Sequence, residues 1–176
     1  MNKWLSGNLG RIARDLLNSF LKGAASGATQ DRRRRRRTPS SSATYPGDFR
    51  GTPRITYRPS DDGDADPGEI VWTWVPYEED HTRGKDRPVL LIGRDRGWLL
   101  GLQLTSQDHD LDKRQEARQG RKWVDIGVGP WDDKGRPSEV RVNRIIRVHP
   151  DKVRRIGAIL DEKRFQKVAT AVRSAL

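Results

Sequence analysis

Cysteine is missing from all 176 residues of the chain. Its absence excludes disulfide bridges and thiolate metal sites, and it predicts a protein of a reducing, cytoplasmic environment. Long apolar runs are missing too, and no window approaches the roughly 18 consecutive apolar residues of a membrane-spanning helix. Hydrophobic residues make up only 33% of the chain and charged residues 34%, which predicts one modest core and substantial disordered segments.

Common catalytic motifs are also missing. The three histidines, His81, His109 and His149, lie far apart in sequence, and neither an HExxH motif nor a carboxylate cluster predicts a metal site. The glycines form neither of the Gly-rich phosphate-binding loops, and there is no GxSxG motif of a serine hydrolase. The sequence therefore predicts no metal and no cofactor, and it disfavours nucleotide-fuelled, metal-dependent and serine-hydrolase chemistry.

Positive charge is what the chain has in excess, with a formal net charge of +11. Residues 1–66 carry 13 lysines and arginines against 7 acids, and residues 67–176 carry 22 against 17, so both parts are basic. A polyanionic partner such as nucleic acid is one explanation. The other is that much of the excess comes from the six consecutive arginines at 32–37, which would keep the protein soluble.

The first 66 residues divide into two segments. Apolar residues recur every three or four positions between residues 3 and 22, which predicts an amphipathic helix over residues 1–22. Gly, Ser, Pro and Asp dominate residues 23–66, which predicts a disordered linker. The helix and the arginine run, residues 1–37, suit contact with an anionic membrane, and the helix suits equally a partner's groove or its own domain.

Residues 67–176 carry the pattern of a mainly β domain with a C-terminal helix. Apolar alternation and short apolar runs predict strands over 70–75, 89–92, 98–105, 122–126 and 139–148, with a turn at 94–97. Asp161 is the predicted N-cap of the last helix, whose inner stripe is Phe165, Val168, Val172 and Leu176. The expected architecture is a small barrel of about five strands closed by this helix. Residues 106–120 form a long polar loop, which is usually functional or mobile.

Arg87 and Pro88 precede the second of these strands. Because proline lacks a backbone N–H, Pro88 is expected at the first position of the strand, with Arg87 as the last residue of the loop. RNA carries its own nucleophile, the 2′-hydroxyl, and its cleavage needs a group that stabilises charge on the phosphate. Arg87 suits this task, and Thr105 offers a hydroxyl at the end of strand 98–105. The alternatives are a surface ion pair of Arg87 with Asp86 or Glu79 and a strand-end hydrogen bond of Thr105.

The order of four motifs in this domain resembles the MazF/PemK family of toxin endoribonucleases. The motifs are GEIVW at 68–72, RPVLLI at 87–92, LTS at 104–106 and VNRIIRV at 142–148. The resemblance covers about residues 67–176. It implies a small SH3-like barrel, a homodimer, and metal-independent cleavage of single-stranded RNA that leaves a cyclic phosphate. It also implies a cognate antitoxin protein that lies across the RNA groove.

The resemblance also assigns residues. By motif position Arg87 matches the family's catalytic arginine and Thr105 its catalytic threonine. The further RNA contacts are predicted at Lys85, Arg83, Ser106 and Tyr77.

The loop before Arg87 departs from the family pattern. Many members carry Ser-Glu-Gln-x-Gly there, and Thr82 occupies the place of that glutamate in this chain. His81 is the candidate proton acceptor in its stead, because an imidazole titrates near neutral pH. Glu78, Glu79 and Asp80 are the alternatives.

Two open questions concern the aromatic residues and the activity itself. Trp72, Trp74, Trp98 and Trp123 lie on predicted strands and are expected in the core, whereas Trp131 and Tyr77 lie in loops, where they either stack on bases or cap a core edge. The alternative to a nuclease is a non-catalytic barrel that binds nucleic acid or protein, since the same architecture occurs in toxins that block a topoisomerase.

Overall fold

The structure, a computed structural model, describes residues 44–106 and 120–176. The predicted helix over 1–22, the arginine run at 32–37, His109 and most of the loop at 106–120 lie outside these residues. A mainly β fold with one C-terminal α-helix is confirmed. The elements are β1 (Glu69–Pro76), β2 (Gly84–Asp95), β3 (Trp98–Thr105), β4 (Trp123–Gly127), β5 (Ser138–Arg141), β6 (Ile146–Val148), a 3-10 helix (Pro150–Lys152), β7 (Val153–Ile159) and α1 (Glu162–Ala175).

The seven strands form one antiparallel sheet in the order β4-β5-β3-β2-β1-β7, and β6 pairs with β3. Strand β3 has three partners: residues 98–103 pair with β2, residues 99–101 also pair with β6, and residues 104–105 pair with β5. Arg96 and Gly97, with φ angles of 48° and 93°, form the tight turn between β2 and β3. Among the described residues β4 and β7 each pair with one strand only, so the sheet is not closed and the predicted barrel is not confirmed.

Two apolar clusters cover the opposite faces of the central strands. Ile70 and Leu90 are register partners in the larger cluster, which includes the inner face of α1. The next residue pair along the strands, Val71 and Val89, belongs to the smaller cluster. This division follows from the two-residue period of a strand, in which neighbouring side chains point to opposite faces.

Helix α1 begins where the sequence predicts. The Asp161 carboxylate accepts a hydrogen bond from the Arg164 backbone N–H at 3.0 Å, as an N-cap does. Phe165, Val168 and Val172 are buried as expected, but Leu176 is 63% exposed. The prediction for Leu176 was wrong because the helix ends at Ala175 and Leu176 is its C-cap residue. No helix within the described ranges is long and apolar enough to cross a membrane.

Two predicted strands differ in extent from the observed ones. Strand β2 begins at Gly84, so Arg87 and Pro88 lie inside the strand and not at its threshold. Proline is tolerated there because pairing with β3 begins only at Val89, which leaves residues 84–88 paired with β1 alone. The predicted strand 139–148 is divided into β5 and β6, and β7 was not predicted.

Residues 44–58, the N-terminal arm, contact the domain along their length. The Phe49 backbone N–H donates to the Ile145 carbonyl at 2.8 Å, and the Thr56 N–H donates to the Ile92 carbonyl at 3.0 Å. The Tyr57 hydroxyl donates to the carbonyl of Leu160 at 2.9 Å. After the arm, the buried carboxylate of Glu69 accepts hydrogen bonds from the backbone of the loop at 60–66. The structure therefore differs from the prediction of a disordered linker over residues 44–66.

Candidate functional site

The face of the sheet that carries the smaller apolar cluster becomes polar toward the end of β3. Val89 of β2 is the register partner of Gln103 of β3. Two residues further along each strand, Arg87 and Thr105 project from the same face, because residues i and i+2 of a strand share a face. Strand β5 continues this surface, since Thr105 is paired with Glu139. We call the set the polar face: Arg87, Gln103, Thr105, Glu139 and Arg141.

Arg87 is a half-buried cation on this face. No side chain in residues 44–106 and 120–176 forms a hydrogen bond or an ion pair with it, and Asp86, its candidate surface partner, pairs with Arg154. Burial lowers the pKa of Arg87; Tyr77 acts in the opposite direction, and the positive charges of Arg121 and Arg144 lower the pKa further. Arginine stays protonated all the same, so Arg87 is a poorly solvated positive charge suited to an anion.

Thr105 ends β3 and is buried, with 9% of its surface exposed. Ser106, the next residue, is half-buried. The register places the Thr105 side chain on the polar face, where it neighbours Gln103 along the strand and Glu139 across it. The two residues that the sequence analysis predicted as catalytic, Arg87 and Thr105, therefore share one face of the sheet.

Arg144 is a buried cation that the sequence analysis did not single out. It donates hydrogen bonds to the Asp48 carboxylate at 2.8 Å, the Pro76 carbonyl at 2.9 Å and the Gln103 side-chain oxygen at 3.4 Å. Burial alone raises the pKa of Asp48, but hydrogen bonds from Arg144 and Tyr45 outweigh it and hold this pKa below its ordinary value. Arg144 thereby ties the N-terminal arm to the end of β1 and to the polar face.

Glu78 and Arg141 form a second ion pair at the edge of the polar face. The buried Arg141 guanidinium donates to both carboxylate oxygens of Glu78, at 2.8 and 3.2 Å. The hydrogen bond from Arg141 is the main reason that the pKa of Glu78 is lowered. A carboxylate held in this way is a weak base, so the geometry disfavours Glu78 as a proton acceptor.

The loop between β1 and β2 contacts the N-terminal arm. His81 is exposed, and its ring packs edge-on against Tyr45 with 5.1 Å between the centroids. The Asp80 carboxylate accepts hydrogen bonds from both the backbone N–H and the hydroxyl of Thr82, at 3.0 and 2.6 Å. His81, the candidate proton acceptor, therefore lies against a part of the chain that was predicted to be linker.

The predicted RNA contacts differ in exposure. Arg83 is exposed and lies over the half-buried Tyr77 ring at 5.8 Å, which pre-positions both side chains. Lys85 is exposed on β2. Tyr77 directly follows β1, and its backbone N–H donates to the carbonyl of Arg83 at 2.8 Å.

The tryptophans are distributed differently from the prediction. Trp131 is 2% exposed and its indole N–H donates to the Ser138 hydroxyl at 3.1 Å. Stacking of Trp131 on bases was therefore a wrong alternative, since its ring faces the core. Trp74, which was expected in the core, is 37% exposed, because the pairing of β1 with β7 ends at Thr73 and leaves Trp74 beyond it.

Replacing Trp131 with phenylalanine is expected to lower the free energy of unfolding by about 2 kcal/mol, because the Ser138 hydroxyl loses its buried partner and a small void forms. RNA affinity should stay unchanged. Urea denaturation and oligonucleotide binding measure the two effects. Val128→Ala, a loss of apolar volume at a side chain that is 50% exposed, is the control and is expected to change stability by no more than about 0.5 kcal/mol. Weaker RNA binding of Trp131→Phe at unaltered stability would contradict the buried position.

Acidic and histidine side chains do not converge in the described part of the chain. No group of three or more of them is placed there to hold a metal ion. His149 is buried, accepts the Asp151 backbone N–H at its Nδ1 atom at 3.1 Å, and packs edge-on against Trp98. These contacts are those of a structural histidine.

A protein-family model matches residues 66–176, and its description is a PemK-like, MazF-like toxin of a type II toxin-antitoxin system. The match covers more than half of the chain and contains the whole polar face. The arm that contacts this domain lies before the matched residues. No curated protein matches the chain. The resemblance that the four sequence motifs indicated is confirmed by this match.

Proposed function

Since the chain belongs to the PemK-like, MazF-like toxin family of type II toxin-antitoxin systems, we propose that it is an endoribonuclease that cleaves single-stranded RNA. The observation that carries this proposal is the state of Arg87. It is half-buried, shares a face with the hydroxyl of Thr105, and has no acidic partner among residues 44–106 and 120–176. A cation in this state attracts a phosphate that brings its own negative charge.

In the proposed reaction the 2′-oxygen of RNA attacks the adjacent phosphorus, and the bond from phosphorus to the 5′-oxygen breaks. The 2′-hydroxyl proton passes to a base, the leaving 5′-oxygen gains a proton, and the products are a cyclic phosphate and a 5′-hydroxyl end. Arg87 donates two hydrogen bonds to the phosphate oxygens on which negative charge grows. Thr105 orients the scissile phosphate. This chemistry needs no metal ion, since charge stabilisation comes from the guanidinium.

Several groups around this pair complete the proposed RNA site. Lys85 and Arg83 supply further positive charge on or before β2, and Ser106 adds a hydroxyl beside Thr105. Tyr77 offers a half-buried ring beneath the Arg83 guanidinium. The Glu78 carboxylate is held by Arg141 and that of Asp80 by Thr82. His81 is therefore the proposed proton acceptor, and Glu79 is the alternative.

The proposed assembly is a homodimer of SH3-like barrels that a cognate antitoxin protein neutralises by covering the RNA site. An acidic antitoxin segment would meet the same unneutralised Arg87 that the phosphate meets. The membrane contact proposed for residues 1–37 concerns a segment outside the described residues.

The direct test is incubation of the full chain with a pool of single-stranded RNA in EDTA, followed by sequencing of the fragments and analysis of their ends. Cleavage with cyclic-phosphate ends is expected. An otherwise identical RNA with a 2′-deoxy sugar at the cleaved position is the matched control, and it should resist cleavage because the nucleophile is absent. Equal cutting of this control would exclude attack by the 2′-hydroxyl.

A non-catalytic binding module is the second candidate function. Its support is the state of the β1–β2 loop, where Thr82 replaces the family's glutamate and the nearby carboxylates of Glu78 and Asp80 are held by Arg141 and Thr82. A module of this kind would bind RNA or a protein through the polar face without cutting. Well-folded protein that binds RNA in EDTA and leaves it intact would establish this second function over the first.

A further inference from the structure

A cavity of about 300 Å³ lies beside the polar face and is lined by aromatic and basic side chains. Thr73 of β1 belongs to its lining, and Thr73 is the register partner of Arg87 on β2. Directly opposed residues of an antiparallel pair are close neighbours on one face. Thr73 therefore borders both the cavity and the face of Arg87. Trp74, the next residue of β1, points to the opposite face, so the cavity lies at the edge of β1, where its pairing with β7 has ended. Its lining includes three aromatic and three basic side chains: Tyr45, Trp74, Trp98, Arg147, Lys152 and Arg154.

Three aromatic rings contribute to this cavity. Trp74 has 37% of its surface exposed, which is unusual for so large an apolar side chain. Trp98 is fixed by its edge-on contact with the His149 ring at 5.3 Å. Tyr45 is fixed through its hydroxyl, which donates to the Asp48 carboxylate. Rigid rings at the wall of an open cavity are suited to stacking on a flat, aromatic ligand.

The charge of the cavity has one sign, since none of its lining residues is acidic. Arg147 is engaged within the fold, because it donates to the carbonyls of Gly47 and Asp48 and pairs with Asp95. Lys152, in contrast, is exposed and its ammonium group has no ion-pair partner in the described residues. Arg154 forms an ion pair with Asp86, and its side chain is 64% exposed. Water screens such a surface pair, so a phosphate can replace Asp86 as the partner of Arg154.

We propose that this cavity binds one nucleotide of the RNA strand at the edge of β1, with Thr73 between this nucleotide and the phosphate held by Arg87. The base stacks on Trp74, and Lys152 and Arg154 hold the nucleotide's phosphate. The inference rests on the proposed RNA substrate. Aromatic rings beside unneutralised cations are the combination by which single-stranded nucleic acid is bound without base-specific hydrogen bonds. Tyr45, which forms one side of the cavity, belongs to the N-terminal arm and lies before residue 66, where the family match begins. The matched domain alone would therefore lack this side of the cavity.

The test measures binding of the full chain to a single-stranded RNA oligonucleotide. The sugar at each cleaved position is 2′-deoxy, so the RNA cannot be cut during the measurement, and the other sugars are ribose. Trp74→Ala is expected to raise the Kd about fivefold or more, through loss of one stacked base. Trp74→Phe should restore most of the affinity because it keeps a ring. Lys152→Ala should weaken binding and reduce the slope of log K against log salt by about 0.7, as expected for one lost phosphate contact.

Lys163→Ala, a loss of the same charge on the exposed face of α1, is the matched control and should leave the slope unchanged. Thermal denaturation of each variant separates lost binding from lost folding, and it matters for Trp74, whose ring packs closely against Gly84. If Trp74→Ala misfolds, the affinity of Lys152→Ala and its slope of log K against log salt test the proposal on their own.

The outcomes separate this inference from the proposed nuclease. RNA cleavage by the wild-type chain, combined with wild-type affinity of both Trp74→Ala and Lys152→Ala, would overturn the cavity and leave the nuclease standing. No cleavage, combined with weakened binding of these two variants, would retain the cavity in a non-catalytic RNA-binding protein. Loss of binding to an acidic peptide but not to RNA in the same variants would also overturn the inference, since the occupant would then be protein.

Discussion

Arg87→Ala is expected to lower the rate of RNA cleavage by at least about a thousandfold, because charge growing on the phosphate loses its main counter-charge. The free energy of unfolding should not fall by more than about 0.5 kcal/mol, since no described acid is left unpaired by the change. Single-turnover cleavage in EDTA measures the first quantity and urea denaturation the second.

Two further arginine variants sharpen this result. Arg87→Lys keeps the charge but loses the two parallel hydrogen bonds, so its rate should lie between those of the wild type and the alanine variant. Arg173→Ala removes the same charge from the last turn of α1 and should cleave like the wild type. Wild-type cleavage by Arg87→Ala would rule out the proposed role of Arg87 in charge stabilisation.

Asp48→Ala is expected to lower the free energy of unfolding at pH 7 by about 3 kcal/mol. The change removes the one carboxylate that pairs with Arg144 among the described residues. The Arg144 guanidinium is only 5% exposed, and an uncompensated buried charge is costly. Asp133→Ala is the matched control, because Asp133 is 82% exposed and its contact with Arg155 is long at 3.9 Å. Its effect should stay within about 0.5 kcal/mol.

The pH dependence of this effect has a definite sign. Because the folded-state pKa of Asp48 is lowered, its stabilising contribution is complete above the unfolded-state pKa of about 3.9 and is lost as the pH falls through the folded-state value. The stability difference between wild type and Asp48→Ala should therefore be large at pH 7 and shrink below about pH 4. An equal difference at both pH values would show that the Asp48 charge does not carry the effect.

Local patterns in the sequence identify the central strands and the helix, because the burial of their side chains follows a simple period. The alternation in β1 and β3 and the N-cap at Asp161 are of this kind. The polar face follows from the same strands, since the register places Arg87 and Thr105 on one side. The sequence could not predict that Arg87 and Thr105 lie on the same face, because the residue pattern of neither strand determines the register between β2 and β3.

Three features could not be predicted because their partners are remote in sequence. Strand β7 has two exposed arginines in a short segment, so it shows no apolar alternation and is stabilised by pairing with β1. The arm has a linker's composition, yet Asp48 is paired with Arg144, 96 positions later. Trp131 lies in a Gly-rich segment that indicates a loop, yet its ring is buried in the larger apolar cluster, most of whose members come from strands and a helix that are distant in sequence.

The pairing of β1 with β7 also has a consequence for synthesis of the protein. β1 (Glu69–Pro76) is made about 80 residues before β7 (Val153–Ile159), with which it forms hydrogen bonds. A nascent chain on the ribosome therefore carries β1 with one unpaired edge until nearly the whole domain has been translated, and contacts of such long range form slowly. The sheet reaches its final form only after β7 has been translated, so the proposed RNA cleavage is expected only from chains that contain β7.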